Sequence, residues 1–437
     1  MAFRSFESHT ISRRALFRTG AYLAAGSAMA TLPFGRALMA RETAEMWPNV
    51  AATVKEYVSS GKVANMVAAF GWGQRDPSAI AAGSLSLNGS TPAGLDSLYR
   101  IYSMTKPITG MAAMMLIDEG KLGLDQPLAE ILPAYAEMMV QKTYDGSIGP
   151  ENLEPARRPI TIRQLMTHTA GLGYGIIQKG PIKDAYEAAG LIPGQVSRLP
   201  IPGLGRGTPV GSLEAFADGL AKLPLVYQPG SKWSYSVGLD LLGRVIEVVE
   251  MKPFDQVLQE RLFDPCGMDS TYFRVPSSEV GRFTDNYGIM AGVPLPLDPA
   301  ASSIYLDAPA FPFGGAGLVS SPRDYDRFLR MLLGYGVIDG KRVMGELAVR
   351  VGTSNLLPKT ADIAGTWMEG QGFGAGGRVT GGAYGWGGAA GTAAFVDYDS
   401  GLRAGLFTQY MPSESYPIQQ EFPELVRKDL MAMNGGA

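Results

Sequence analysis

Ser103-Met104-Thr105-Lys106-Pro107-Ile108-Thr109-Gly110-Met111-Ala112-Ala113-Met114-Met115-Leu116-Ile117 is the stretch on which the fold turns. From Ile101 to Glu119 the residues suit a helix that is apolar nearly all round, and Gly120 follows as its expected cap. A helix with no polar face belongs in the middle of a protein. Its first turn carries a serine and a lysine three residues apart, a spacing that puts both on one face and within hydrogen-bond reach. Apolar surroundings disfavour an ammonium ion, which suits Lys106 to act as a base toward Ser103. At a helix start, Ser103 also has the positive end of the dipole beneath it and a free backbone N–H. Pro107 costs little there, because first-turn donors are mostly unpaired.

The spacing alone carries little weight, since Ser59-Ser60-Gly61-Lys62 repeats it. That second copy follows a helix in a glycine-containing loop and reads as a solvated turn. On the N-terminal side of the central stretch, Thr43 to Ser59 has helical spacing. Two β-like runs follow, Asn65 to Gly73 and Ser78 to Leu87, split by the turn Gln74-Arg75-Asp76-Pro77. On the C-terminal side, helices are expected at Ile162 to Thr167, Leu213 to Lys222, Gly238 to Val249 and Phe254 to Leu262. The segments Gly173 to Gly211 and Gly288 to Gly314 are irregular, rich in glycine, proline and aliphatics, and read as walls of a cleft. Ser321-Pro322 opens another helix. Strands at Gly385 to Val396 and Leu402 to Gln409 and a closing helix from Ile418 to Met433 complete an α+β pattern, with strands at both ends and helices between.

Composition removes several classes. A chain of 437 residues, 46% hydrophobic and 18% charged, can bury a large core, and a net charge of −3 offers no basic face to nucleic acid. The single cysteine, Cys266, cannot form an intrachain disulfide, is too few for a structural zinc site, and reads as a small buried core residue. Ser12-Arg13-Arg14-Ala15-Leu16-Phe17, followed by the small-residue run Ala21 to Ala30, resembles a twin-arginine export signal. Residues 1–40 are therefore expected to direct the chain to a bacterial periplasm or outside the cell. Arg36 and Arg41 interrupt the apolar run before it could span a membrane, so no stable insertion is expected.

Only two histidines exist, His9 and His168, and no Gly-x-Ser-x-Gly elbow occurs. A Ser-His-Asp triad would have to use His168, which sits at the end of a short helix where a histidine more often caps or packs. Another group must then take the serine proton. Trp233-Ser234-Tyr235-Ser236-Val237-Gly238 puts the Tyr235 phenol at an expected strand-to-helix junction, where it can shuttle protons beside Lys106. Gly385-Trp386-Gly387-Gly388-Ala389-Ala390-Gly391 reads as a strand whose glycines let a ligand approach the backbone. The Ala389 N–H is the candidate second oxyanion donor.

Together Ser103-x-x-Lys106, Tyr235-Ser236-Val237 and Trp386-Gly387-Gly388 resemble the serine β-lactamase and penicillin-binding-protein superfamily, and within it the family VIII carboxylesterases, which are similar to class C β-lactamases. Leu165 to Leu172, Gly315 to Ser320 and Tyr235 to Glu247 extend the likeness over nearly the whole chain. It implies an antiparallel sheet flanked by helices (about 41–120 and 315–437) and a mostly helical lobe (about 121–314), with the active site between them. It also implies Ser103 as the acylated nucleophile, Lys106 and Tyr235 as the proton-transfer pair, and the N–H groups of Ser103 and Ala389 as the oxyanion hole. No metal or organic cofactor is implied.

Two departures set the expected substrate. Val237 stands where lactamases and DD-peptidases carry an asparagine for the acylamino group, and Trp386 where they place a lysine or histidine for a carboxylate. Loss of one such charge-assisted bond is worth on the order of 1.5–3 kcal/mol. With Trp386, Gly387, Gly388 and Val237 lining the substrate site, an uncharged, fairly apolar small-molecule ester is expected. A β-lactamase or DD-peptidase, an amidase or acyltransferase on the same scaffold, and a binding module without catalysis are the alternatives. Oligomeric state has no signal in the sequence.

Overall fold

The computed structural model describes residues 41–199 and 207–435. The stretch resembling an export signal and residues 200–206 lie outside these. A seven-stranded antiparallel sheet forms the frame. Its strands are β1 (Asn65–Trp72), β2 (Ser78–Gly83), β3 (Gly372–Phe373), β4 (Arg378–Thr380), β5 (Ala383–Gly387), β6 (Ala393–Asp397) and β7 (Leu402–Phe407). They run in the order β3-β4-β5-β6-β7-β1-β2. The early hairpin joins the late strands where β1 pairs β7, Val67 opposite Phe407. Both ends of the chain thus contribute to one sheet.

The two-residue period of β1 sorts its side chains. Met66, Ala68 and Phe70 face helices α1 (Pro48–Ser59) and α8 (Ile418–Gly435), where Phe70 stacks 4.1 Å from Trp47 and meets Phe422. Val67 points the other way, into the larger core shared with α2 (Thr105–Asp118) and α6 (Pro322–Leu333). Ser321 caps α6 as its sequence predicts, accepting from the Asp324 N–H at 3.1 Å. Between α2 and α6 lie α3 (Ile162–Met166), α4 (Leu213–Ala221) and α5 (Gly238–Glu250). Helix α7 (Glu346–Gly352) packs on α2.

Every residue of α2 from Thr105 to Leu116 is buried, as a helix without a polar face requires. Gly110 explains how close it lies to the sheet, because a Cβ there would overlap the Ala375 carbonyl. The helix begins later than its sequence suggests. Tyr102–Met104 forms a 3-10 turn, and Tyr102 has φ +41°, a left-handed backbone that costs a bulky residue about 1–3 kcal/mol.

Other expectations need correction. The run Gly385 to Val396 is not one strand but β5 and β6, joined by a tight turn over residues 388–392 in which Gly391 takes φ +80°. The wall segments hold regular structure, a helix at Gly180–Ala188 and a hairpin of Asn286–Met290 with Val293–Asp298. Prolines at 294 and 296 mask the strand signal. Cys266 is buried and unpaired, and burial pushes its thiol up to about 12. Among the described residues no helix is long and apolar enough to cross a membrane.

Candidate active site

The strained Tyr102 lifts Ser103 out of the core, the one residue between Ile101 and Gly110 that is not fully buried. One turn on, Lys106 is completely buried, with its Nζ 3.3 Å from Ser103 Oγ. The amine also donates to the Gly315 carbonyl at 2.7 Å and lies 4.5 Å from the centre of the Tyr235 ring. Tyr235 donates its hydroxyl to Ser103 Oγ at 2.7 Å. Ser103, Lys106 and Tyr235 therefore converge on one oxygen. The look-alike copy is spent elsewhere: Lys62 pairs with Glu56 at 2.8 Å on the surface.

Tyr235 comes from an extended segment without a strand partner, which corrects the expected strand-to-helix junction. Its backbone is held by single contacts instead. Trp233 N–H donates to Asp362 O (2.9 Å), Ser234 N–H to His168 O (3.1 Å), Ser236 N–H to His168 Nδ1 (3.1 Å) and Val237 N–H to Gly173 O (3.2 Å). His168, itself at φ +55°, thus grips the peptide groups on both sides of Tyr235, and its ring centre lies 4.7 Å from the phenol ring. It touches neither Ser103 nor Lys106 in any hydrogen bond, so its part is packing and positioning.

Burial, and secondarily the charge of Lys106, hold the His168 imidazole well below 6.5. A group depressed in the folded state contributes stability in full above its unfolded value of about 6.5 and loses it as pH falls below that. His168→Ala should therefore flatten the loss of stability between pH 7.5 and 5.5. It should also cost about 2–4 kcal/mol at pH 7.5, from an unpaired Ser236 N–H and a cavity, as urea unfolding at the two pH values would read.

Neither the Ser103 nor the Ala389 backbone N–H has an acceptor among the described residues. At Gly388 a Cβ would overlap the Ile101 carbonyl, so the turn after β5 lies directly against the segment leading to Ser103. Gly387 lacks a Cβ for a different neighbour, the Gln419 amide. At both glycines the space a Cβ would take is occupied by protein atoms. Val237 is fully buried, and its N–H donates to the Gly173 carbonyl at 3.2 Å.

Trp386 is half-buried and faces Tyr235 (5.9 Å between ring centres) and Phe373 (5.3 Å). Tyr174 and Trp367, which the sequence did not single out, complete an aromatic wall around Tyr235 at 5.7 and 5.5 Å. Tyr174 belongs to the first of the two wall segments, and Gly315 follows directly on the second. A cation survives near the apolar wall, since the Arg378 guanidinium lies 5.2 Å over the Trp386 ring.

Asp240 on α5 is the other residue missed. It is buried, one carboxylate oxygen accepts from the Gly315 N–H at 2.8 Å, and the other has no partner. Burial pushes its carboxyl up to about 6, against the opposing pull of Lys106 and the Gly315 N–H. A lone acid in Val237-Gly238-Leu239-Asp240-Leu241-Leu242 was the available signal. Among the described residues no group of three His, Cys, Asp or Glu side chains is placed to hold a metal.

A serine, lysine and tyrosine converging on one oxygen, on an antiparallel sheet flanked by helices, define a serine hydrolase of the β-lactamase and transpeptidase fold. The Beta-lactamase family model matches residues 50–423, and the chain belongs to that family. It is similar to Protein Rv1367c of Mycobacterium tuberculosis (37% identity over 297 residues, 67% of this chain and 69% of that protein). It is also similar to Esterase EstB of Burkholderia gladioli (31% identity, 54% of this chain and 57% of the esterase). Among solved structures, that of EstCE1, a hydrolase with promiscuous acyltransferase activity, matches with a TM-score of 0.69 at 25% identity, covering 88% of this chain and 98% of its own.

Proposed function

We propose that the protein is a carboxylesterase that cleaves uncharged, fairly apolar esters through an acyl-enzyme on Ser103. The observation that carries this reading is the meeting of Lys106 Nζ and the Tyr235 hydroxyl on Ser103 Oγ. Lys106, coupled to Tyr235, takes the hydroxyl proton as Ser103 Oγ bonds to the ester carbonyl carbon. The arriving proton is met by the Gly315 carbonyl and by the Asp240 carboxylate behind it. The carbonyl oxygen, now negative, is received by the Ser103 and Ala389 N–H groups. Tyr235 protonates the departing alcohol, and water then releases the acid by the reverse route.

Preference for an ester over a lactam rests on Val237 and Trp386. The first offers no amide to an acylamino group, and the second presents an indole where a cation would meet a carboxylate. Turnover of short p-nitrophenyl esters should exceed that of nitrocefin by at least about 100-fold in kcat/KM, the effect of two missing polar contacts. Comparable rates on the two substrates would make the protein a β-lactamase instead. The promiscuous acyltransferase activity of EstCE1 favours one further reading. Adding a small alcohol to the same assay tests it, since transfer would yield a new ester in place of free acid.

A further inference from the structure

The peptide group that carries the Ala389 N–H also carries the Gly388 carbonyl, and in a trans peptide the two point in opposite directions. Whatever fixes the carbonyl therefore aims the N–H. Gln419, at the start of α8, donates its side-chain Nε2 to the Gly388 carbonyl at 2.7 Å and to the Thr392 carbonyl at 2.7 Å. Those carbonyls stand at the two ends of the turn between β5 and β6, which the Gly388 N–H closes by donating to Thr392 O at 2.7 Å. The amide can take only this orientation, because the reverse one would set its oxygen against two carbonyl oxygens. Gly387 makes room for it, since any Cβ there would overlap Nε2. The Gly391 N–H also donates to Gly388 O, at 3.2 Å, so that carbonyl is loaded on its far side by two donors. A loaded carbonyl polarises its own peptide and makes the N–H at the other end a stronger donor.

We propose that Gln419 is a positioning residue of the oxyanion hole, clamping the Gly388–Ala389 peptide from behind so that the Ala389 N–H is held toward the cleft before substrate arrives. This rests on the assignment of that N–H to the oxyanion hole. Gln419 is about thirty residues beyond the turn, on a helix that otherwise packs against the outer face of the sheet through Ile418, Phe422 and Val426. The closing helix thereby acts on the chemistry as well as on the fold.

The test uses the full chain with Gln419→Met, which keeps the length and removes the donor, and Gln419→Glu, which keeps the shape and replaces the donor with an acceptor. Both should lower kcat on a p-nitrophenyl ester by about 10- to 100-fold, less than the complete loss of an oxyanion donor, with KM changed less than twofold. The affinity for an arylboronic acid, which becomes tetrahedral on Ser103, should fall by the same factor as kcat. A purely structural role would lower Tm and leave the boronate affinity of the folded fraction untouched. That result, or parent-like kcat in either folded variant, overturns the proposal. Fluorophosphonate labelling of the parent separates the role of Gln419 from the acyl-enzyme it serves. Labelling at Ser103 with unaltered Gln419 variants rejects Gln419 alone, whereas no labelling at Ser103 rejects the acyl-enzyme itself.

Discussion

Ser103→Ala is expected to abolish ester hydrolysis, with kcat down by roughly 10⁴-fold or more and Tm within a few degrees of the parent. The size follows from the arrangement around the hydroxyl. Lys106 and Tyr235 both address Ser103 Oγ, and no other described serine or threonine hydroxyl bonds to either side chain. Without that oxygen the proton-transfer pair has nothing to activate, and the two N–H groups can only bind a carbonyl. The stability cost is small because Ser103 is partly exposed and its side chain fills no core volume. Initial rates on p-nitrophenyl butyrate and a thermal melt check both halves.

Lys106→Met is the second large effect, and its signature differs. The amine is wholly buried, and among the described residues it is the one side-chain donor to the Gly315 carbonyl. Activity should fall by about 10²–10⁴-fold, the range for a lost general base, and almost entirely in kcat. Stability should fall as well, by about 1–3 kcal/mol, because the Gly315 carbonyl goes unpaired. A kinetic loss with unchanged KM, together with a lower urea midpoint, is the expected pair of results. Unchanged kcat would remove Lys106 from the chemistry.

The centre of the molecule was legible because hydrophobic pattern reports burial directly. Thr105 to Leu116 has no polar face, and every one of its residues is buried. The reading of Ser59-x-x-Lys62 as a solvated turn rested on the same logic, and Lys62 is on the surface with Glu56. Pattern fails where a contact is made across the chain by one atom. Nothing around Gln419 in the sequence says that its amide reaches two carbonyls about thirty residues earlier, and nothing around His168 says that it grips Ser234 and Ser236. The glycines of 385–391 carry a related lesson. A missing Cβ records that something comes close, and at Gly387 and Gly388 the protein neighbours are Gln419 and Ile101, which the run itself does not name. The turn between β5 and β6 was lost in the same run, since small and apolar residues continue through it from Tyr384 to Val396.

The chemistry stands on one covalent bond. Incubating the full chain with a fluorophosphonate and mapping the adduct by peptide mass spectrometry reads it directly. The predicted result is a single adduct per chain, on the peptide holding Ser103-Met104-Thr105-Lys106, absent in Ser103→Ala. An adduct on any other residue, or no adduct while ester turnover continues, would contradict it.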